Sequence, residues 1–233
     1  MGERSHKDYI NQFFLGNVEV SFSRGELYNA DPVTGDARFC GTTASMCGVE
    51  KAGFEGDEEQ MDAAIKRVLM LHAFMLTQSG IPMLYSGDEI GQVNDYSYKE
   101  IPEKAPDSRY IHRGRFDWAL VDKISEKDSV QQRIFDGLGE LEKIRAKEQV
   151  FVTNAGFYTL ETYEQAVLCL VREFGGDKVI GLFNFSEYDK TAWIDQQDGE
   201  YEDLITGRRM KASGVNIPGN GYYWLKRIKP DYK

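Results

Sequence analysis

The period of the hydrophobic pattern changes near residue 150, and this change constrains the fold more than any other feature of the sequence. Before it, apolar residues at helical spacing predict one helix over residues 58–78 and a second from about Ser129 to Lys147. After it, apolar and polar residues alternate between short turns, a pattern typical of β-hairpins. The sequence therefore predicts two domains, residues 1–149 and residues 150–233.

Turn residues divide the second domain into strands. Gly175-Gly176 and Thr206-Gly207 each lie between two alternating segments, and Gly at such positions supplies the positive φ that tight hairpin turns require. The expected strands cover residues 166–174, 179–184, 201–205, 208–212 and 222–228. This part of the chain is therefore expected to be a small all-β domain.

A short apolar run follows the first predicted helix. Gly80 ends the helix, and Ile81-Pro82-Met83-Leu84-Tyr85 reads as a strand, so helix and strand together form an αβ unit of a parallel sheet buried on both faces. A single parallel strand leaves its backbone groups unpaired. Residues 81–85 are therefore expected to pair across a homodimer, to be swapped, or to pack against the helices of the same chain.

The first 57 residues show little helical periodicity. Turn chemistry interrupts them repeatedly, for example at Ser23-Arg24-Gly25, Asp31-Pro32 and Thr34-Gly35-Asp36. Irregular stretches of this length inside a compact domain are more often functional loops than plain connections. Residues 1–57 are therefore predicted to form a long functional loop.

Charge and composition exclude several classes of partner. The chain has 28 Lys and Arg against 38 Asp and Glu, which gives a formal net charge of −10. Such a balance repels phosphate backbones and anionic lipids, so neither nucleic acid nor a membrane surface is an expected partner. No apolar run approaches the roughly eighteen residues of a membrane-spanning helix, and no signal peptide is evident. We expect a soluble, cytoplasmic protein.

The cysteines and histidines do not suggest a metal or a cofactor. Cys40, Cys47 and Cys169 contain no C-x-x-C pair and no even disulfide framework, so buried free thiols are expected. The three histidines are far apart and lack the spacing of metal ligands. No cofactor is therefore predicted.

Several segments carry a family resemblance. Residues 80–91, GIPMLYSGDEIG, resemble the G-x-P-x-x-Y-x-G-D-E-x-G stretch of the α-amylase superfamily. Further blocks are similar to those of amylosucrases and related sucrose enzymes: SFSRG at 21–25, TGDAR at 34–38, GTTA at 41–44, DSRYIHR at 107–113 and NFSEY at 184–188. The chain thus resembles the C-terminal portion of an amylosucrase-type sucrose enzyme.

This resemblance implies a fold. It makes the chain an α+β fragment that holds a remnant of a (β/α)₈ TIM barrel, followed by a C-terminal antiparallel β-sandwich over 150–233. Residues 58–79 correspond to the seventh barrel helix, 81–85 to the eighth strand and 128–147 to the eighth helix. Residues 1–57 correspond to a long insertion after the seventh strand.

The resemblance also implies where catalysis resides. Retaining enzymes use a carboxylate nucleophile and a carboxylic acid about 5–5.5 Å apart. In this superfamily both carboxylates, and a third stabilising aspartate, lie on barrel strands that correspond to positions before residue 1. The chain is therefore expected to be inactive alone, and whether it is an enzyme by itself stays open. Tyr85, Asp88 and Glu89 are assigned to the barrel rim, because neighbours on an extended chain point to opposite faces.

Four residues are implied to bind substrate, either sucrose or an α-glucan. Asn29 and Arg38 match positions where the insertion lines the sugar pocket and its acceptor side. Arg109, preceded by Asp107, matches an arginine that closes the bottom of the pocket by pairing with an acidic residue of an earlier loop. Because that loop has no counterpart here, Arg109 is expected to be solvated.

Two other functions remain open from the residues alone. A carbohydrate-binding module would expose a row of aromatic residues on the β domain, with Tyr158, Tyr163, Trp193 and Tyr223 as candidates. Burial in the core is the favoured interpretation of those four residues. A non-catalytic interaction protein would instead show a large apolar interface and no sugar pocket.

Overall fold

The computed structural model describes residues 3–195 and 199–228, with side chains described from His6 onward. The chain mixes helix and sheet and divides into two compact units, Met1–Val68 with Leu84–Phe135, and Leu69–Met83 with Asp136–Lys233. The second unit therefore extends beyond the predicted boundary near residue 150 and includes the last part of both long helices. The assignment of residues 1–149 to a barrel stays a prediction.

Residues 1–57 are not an irregular loop. They contain helices α1 (Glu3–Leu15), α2 (Thr43–Cys47) and α3 (Val49–Glu55), and a short hairpin of β1 (Glu26–Tyr28) with β2 (Arg38–Cys40). The rings of Phe13 and Phe14 at the end of α1 pack on Phe22 and Phe39, with centroids 5.1 and 4.5 Å apart. The first half of α1 is polar, which hides the helical period from a reading of the sequence.

The two long helices are confirmed. Helix α4 covers Glu58–Thr77, and α6 covers Val130–Lys147 after the short α5 (Trp118–Asp122). The Ser129 hydroxyl accepts a hydrogen bond from the backbone N–H of Gln132 at 3.0 Å, which caps α6 as expected. No helix in the described part of the chain is both long and apolar enough to cross a membrane.

The β-rich part contains two antiparallel sheets. A six-stranded sheet has the order β3-β4-β5-β10-β7-β8, and β6 pairs separately with β9. The strands are β3 (Gly156–Leu160), β4 (Val167–Phe174), β5 (Asp177–Asn184), β6 (Lys190–Ala192), β7 (Tyr201–Asp203), β8 (Arg209–Met210), β9 (Val215–Ile217) and β10 (Tyr222–Arg227). Both predicted hairpins and the predicted last strand are confirmed, and Gly175 and Gly176 have φ of 59° and 82° at the β4–β5 turn.

The six-stranded sheet has two buried faces. Alternate residues of β4 and β5 face a core shared with the β6–β9 pair, which includes Ile180, Leu182 and Ile217. The opposite face packs on the end of α4, where the indole N–H of the buried Trp224 donates to the Thr77 hydroxyl at 2.8 Å. The C-terminal half of α4 is therefore part of this unit.

The apolar run 81–85 does not form the predicted strand. It carries no strand assignment, every strand pair among the described residues is antiparallel, and Ile81 and Met83 are each 81% exposed. In the single chain, residues 81–85 therefore form neither a strand of a parallel sheet nor a segment packed on the chain's own helices, and both predictions are wrong. A parallel strand needs a hydrogen-bonding neighbour, and the described residues supply none at this position.

Candidate functional site

The β1–β2 hairpin carries two of the predicted substrate-binding residues. Tyr28 lies opposite Arg38 in the strand register, and Asn29 follows with a left-handed φ of 51° that starts the connecting loop. The Asp31 carboxylate accepts backbone N–H groups of Val33 and Thr34 at 2.7 and 3.0 Å, which orders that loop. Asn29 and Arg38 are both exposed, so they are available for binding.

Arg109 and Asp107 form a pair beside this hairpin. Nε and one Nη of Arg109 donate to the two Asp107 oxygens at 2.8 and 2.7 Å, and the guanidinium lies 4.4 Å from the centroid of the Tyr28 ring. The Ser108 hydroxyl donates to the Leu27 carbonyl at 2.9 Å and ties this turn to β1. Arg109 thus pairs with the carboxylate two residues earlier, while 40% of its side chain stays exposed to solvent as expected.

The structure therefore brings together all four predicted substrate-binding residues. Asn29 and Arg38 lie on the hairpin, and Asp107 and Arg109 lie on the 3₁₀ turn that packs on it, far away in sequence. Their roles toward a substrate stay predictions.

The charges of the pair are stable over a wide pH range. The bidentate hydrogen bonds from Arg109 lower the pKa of Asp107 to about 2, and the carboxylate in turn raises the pKa of Arg109. Both groups are charged at neutral pH. Because each group neutralises the other, the pair itself adds no net charge to the site.

A cluster of aromatic and apolar residues packs against the β1–β2 hairpin. Cys40, Tyr98 and Ile111 are buried there, with Tyr28 and Tyr110 partly buried against them. The Tyr98 hydroxyl donates to the Glu26 carboxylate, and burial together with this bond raises the pKa of Tyr98. No motif of the sequence predicts these tyrosines. The one available signal is the concentration of Tyr96, Tyr98 and Tyr110 in the turn-rich stretch 96–110.

A cleft of about 650 Å³ opens next to this cluster. Its lining mixes aromatic, basic and amide side chains, namely Gln92, Asn94, Asp95, Tyr98, Lys104, Tyr110, Arg113, Arg115, Phe116 and Asp117. Lys104 and Arg113 lie 5.3 and 5.7 Å from the Tyr110 ring centroid, in the range of cation–π contacts. Rings beside hydrogen-bonding groups suit a ligand with apolar faces and polar edges.

The two aspartate carboxylates that line the cleft stabilise turns by accepting backbone hydrogen bonds. Asp95 accepts the backbone N–H of Ser97 at 2.9 Å, and Asp117 accepts that of Ala119 at 3.0 Å as the N-cap of α5. These bonds fix both carboxylates in place. The geometry of the cleft therefore favours binding over proton transfer.

The predicted rim residues occupy a different local structure from the one expected. Asp88 and Glu89 lie in a 3₁₀ turn, not on an extended chain, so the argument from opposite faces of a strand does not apply. Successive residues of a 3₁₀ helix still point about 120° apart. Glu89 accepts the Gly87 N–H at 2.9 Å, Asp88 is buried, and the half-exposed Tyr85 ring packs edge-on to His112 at 5.7 Å.

No metal site accompanies these residues. Within residues 3–195 and 199–228, no group of three or more His, Cys, Asp or Glu side chains is placed to hold an ion. The three cysteines are free and buried, as predicted.

No family model matches the chain, but its sequence is similar to those of several curated proteins, two of which are a cyclomaltodextrinase and a glucosylglycerate phosphorylase. A cyclomaltodextrinase of Thermoanaerobacter pseudethanolicus is 27% identical over 164 residues, covering 70% of this chain and 25% of the relative. A glucosylglycerate phosphorylase of Escherichia coli is 24% identical over 162 residues, covering 69% of this chain and 28% of the relative. The chain thus spans about a quarter of the length of the relatives it matches.

Several solved structures have a fold similar to that of this chain. The crystal structure of AmyP with maltotriose matches with a TM-score of 0.58 at 17% identity, covering 72% of this chain and 36% of that one. A trehalose-6-phosphate hydrolase of Bacillus licheniformis matches with a TM-score of 0.53 at 18% identity, covering 70% and 39%. These neighbours are TIM-barrel enzymes of the α-amylase family. The sequence relatives place this chain in the α-amylase superfamily, and the solved structures show the similarity of fold.

Proposed function

We propose that this chain is the C-terminal part of an α-retaining glycoside hydrolase or transglucosidase that acts on sucrose or an α-glucan. Its contribution is one wall of the sugar pocket, formed by Asn29, Arg38 and the Asp107–Arg109 pair. The nucleophile and the general acid are supplied by residues outside these 233 positions. Acting alone, the chain binds sugar and does not cleave it.

The observation that carries this proposal is the contact of Arg109 with Tyr28. The guanidinium stacks on the ring while its edge is held by Asp107. A planar, internally neutralised surface next to a polar cleft suits a neutral sugar, which offers an apolar ring face and hydroxyl edges. A solvated surface arginine would lack both constraints.

The similar proteins support a sugar as the ligand. AmyP was crystallised with maltotriose and with maltose, and the two sequence relatives are named for reactions on carbohydrates. Specificity for sucrose rests on the amylosucrase-like blocks alone, in particular DSRYIHR at 107–113 and TGDAR at 34–38.

A binding experiment tests the pocket wall. We expect saturation-transfer NMR to detect binding of sucrose or maltotriose to the 233-residue chain, and Arg109→Ala to weaken it at least about tenfold, the equivalent of roughly 1.4 kcal/mol. Arg209→Ala is the matched control, because Arg209 is an exposed arginine on the β-rich unit. Equal binding by wild type and Arg109→Ala would show that Arg109 does not line a sugar pocket.

An activity experiment tests the location of the catalytic groups. The purified chain incubated with sucrose is expected to release no fructose or glucose above a protein-free blank. Steady release that disappears in Asp88→Asn or Glu89→Gln would contradict the proposal, because it would place the catalytic carboxylates inside this chain.

A further inference from the structure

Tyr163 and Trp193 on the β-rich unit are well exposed, against the expectation that they belong to the core. Tyr163 is 65% exposed and Trp193 is 58% exposed. Exposed aromatic residues that occur singly need no explanation. These two differ because each makes contacts that hold it in place, and a backbone hydrogen bond joins the two chain segments that carry them.

The Trp193 ring is held against a glycine. Trp193 directly follows β6 and Gly214 directly precedes β9, and a Cβ built on Gly214 would lie 3.2 Å from the ring. The backbone N–H of Trp193 donates to the Thr162 carbonyl at 2.9 Å, so Tyr163 lies next to Trp193 on the other side. The absence of a side chain at Gly214 lets the ring pack closely on the backbone.

Tyr163 and Trp193 share one face with Asp195. Trp193 and Asp195 are exposed while Ile194 between them is 3% exposed, so the first two point outward together. The Tyr163 hydroxyl donates to the Asp195 carboxylate at 2.6 Å, which fixes the phenol on that face. Tyr163 itself has a left-handed φ of 54°, which is uncommon for a bulky residue. This backbone conformation costs about 1–3 kcal/mol, and such strained residues are found mainly at functional sites.

The charge around the two rings limits the ligand. Asp195 and the neighbouring Glu161 are acidic and exposed, and the whole chain carries −10. Phosphates and other anions are repelled by such a surface. A neutral polyhydroxylated chain meets no such penalty, and it presents ring faces to the aromatic groups and hydroxyls to the Asp195 carboxylate.

We propose that Tyr163, Trp193 and Asp195 form a second carbohydrate site that holds a linear α-glucan by stacking on the two rings. The class of ligand rests on the proposed function, but the residues are separate from the pocket wall around Arg109. The occupant is a glucan of several units, since the two rings lie on separate chain segments and each can stack on a different sugar unit. The site keeps a polymeric substrate on the protein and does no chemistry.

Binding of maltoheptaose to the 233-residue chain, measured by isothermal titration calorimetry, tests the site. We expect Trp193→Ala to weaken binding about tenfold or more, and Trp193→Phe to recover most of it because a ring face remains. Tyr188→Ala is the matched control, an aromatic residue of the same unit with 76% exposure, and should bind like wild type. Circular dichroism verifies that each variant is folded.

The same titrations separate this site from the pocket. Loss of maltoheptaose binding in Trp193→Ala with retention in Arg109→Ala supports the second site, even if sucrose does not bind at all. Loss in Arg109→Ala with no change in Trp193→Ala overturns the second site and leaves the pocket. An equal loss in Tyr188→Ala, no binding by wild type, or a dimer that Trp193→Ala dissociates would also overturn it.

Discussion

Arg109 illustrates how a residue acquires its role from neighbours that the sequence does not reveal. Asp107 is close in sequence, and the pairing of the two is a local event. The stacking partner Tyr28 comes from a hairpin about 80 positions earlier, held by the bond from Ser108 to Leu27. The edge of the guanidinium is therefore fixed by the local contact with Asp107, and its face is fixed by the tertiary contact with Tyr28.

Titration of the Asp107 carboxyl tests this pair. A native pKa near 2, lowered by the bonds from Arg109, means that the pair stabilises the fold above the ordinary aspartate value near 3.9, and that this contribution is lost as the pH falls through about 2. Carboxyl-carbon NMR of Asp107 should show a midpoint near pH 2. In Arg109→Gln the midpoint should move up toward 3.9, whereas a wild-type midpoint already near 3.9 would show that the pair is absent.

The buried thiols give a second prediction at the residue scale. Burial raises the pKa of Cys47 and of Cys169 to about 12, so both are neutral thiols in the native protein. Iodoacetamide at pH 8 should leave both unmodified until urea unfolds the chain, as read by mass spectrometry. The unfolded thiols ionise near pH 8.5, so these cysteines should make the protein less stable as the pH rises from about 9 toward 12. Fast native alkylation would show that the thiols are accessible.

Among the elements, strand β4 depends on one buried arginine. Arg172 is fully buried, and it donates to the backbone carbonyls of Val150 at 3.1 Å and Val152 at 2.6 Å. Its remaining Nη has no hydrogen-bond partner in the described structure, and burial lowers the pKa of Arg172. The strand is thereby attached to the turn that follows α6 by bonds that an alternating strand pattern does not predict.

Removal of this arginine should be costly. Arg172→Ala leaves a cavity and removes the arginine's hydrogen bonds to two carbonyls, of which that of Val152 still accepts the backbone N–H of Ala155 at 3.1 Å. We expect it to lower the free energy of unfolding by about 3 kcal/mol. Urea unfolding followed by circular dichroism measures the effect, with the exposed Arg209→Ala as control, expected to change stability by no more than about 0.5 kcal/mol. A change below about 1 kcal/mol in Arg172→Ala would mean that the carbonyls find other partners.

At the scale of the whole molecule, the apolar segment 81–85 has no strand partner among the described residues. Four of its five residues are exposed, namely Ile81, Met83, Leu84 and Tyr85. Extended apolar segments without hydrogen-bonding neighbours favour association with another chain. The earlier expectation of a homodimer through this segment therefore stays a proposal.

Self-association of the chain tests that proposal. Wild-type protein should show a concentration-dependent increase in mass by analytical ultracentrifugation, and the double variant Ile81→Lys with Met83→Lys should suppress it. Phe54→Lys is the control, since Phe54 is 93% exposed on α3 and lies away from the segment in sequence. A wild-type chain that is monomeric at every concentration would contradict the proposal.

The sequence by itself determined the elements whose signals are local. Helices α4 and α6 follow from apolar spacing and from caps such as Ser129, and the β4–β5 hairpin follows from alternation around Gly175. Only the tertiary structure decided the stacking of Arg109 on Tyr28, the exposure of Trp193 and the missing strand at 81–85. Each of these depends on which distant segments meet, and no local pattern records that. The polar start of α1 hid a helix for the same reason, since packing of Phe13 and Phe14 on distant rings completes its apolar side.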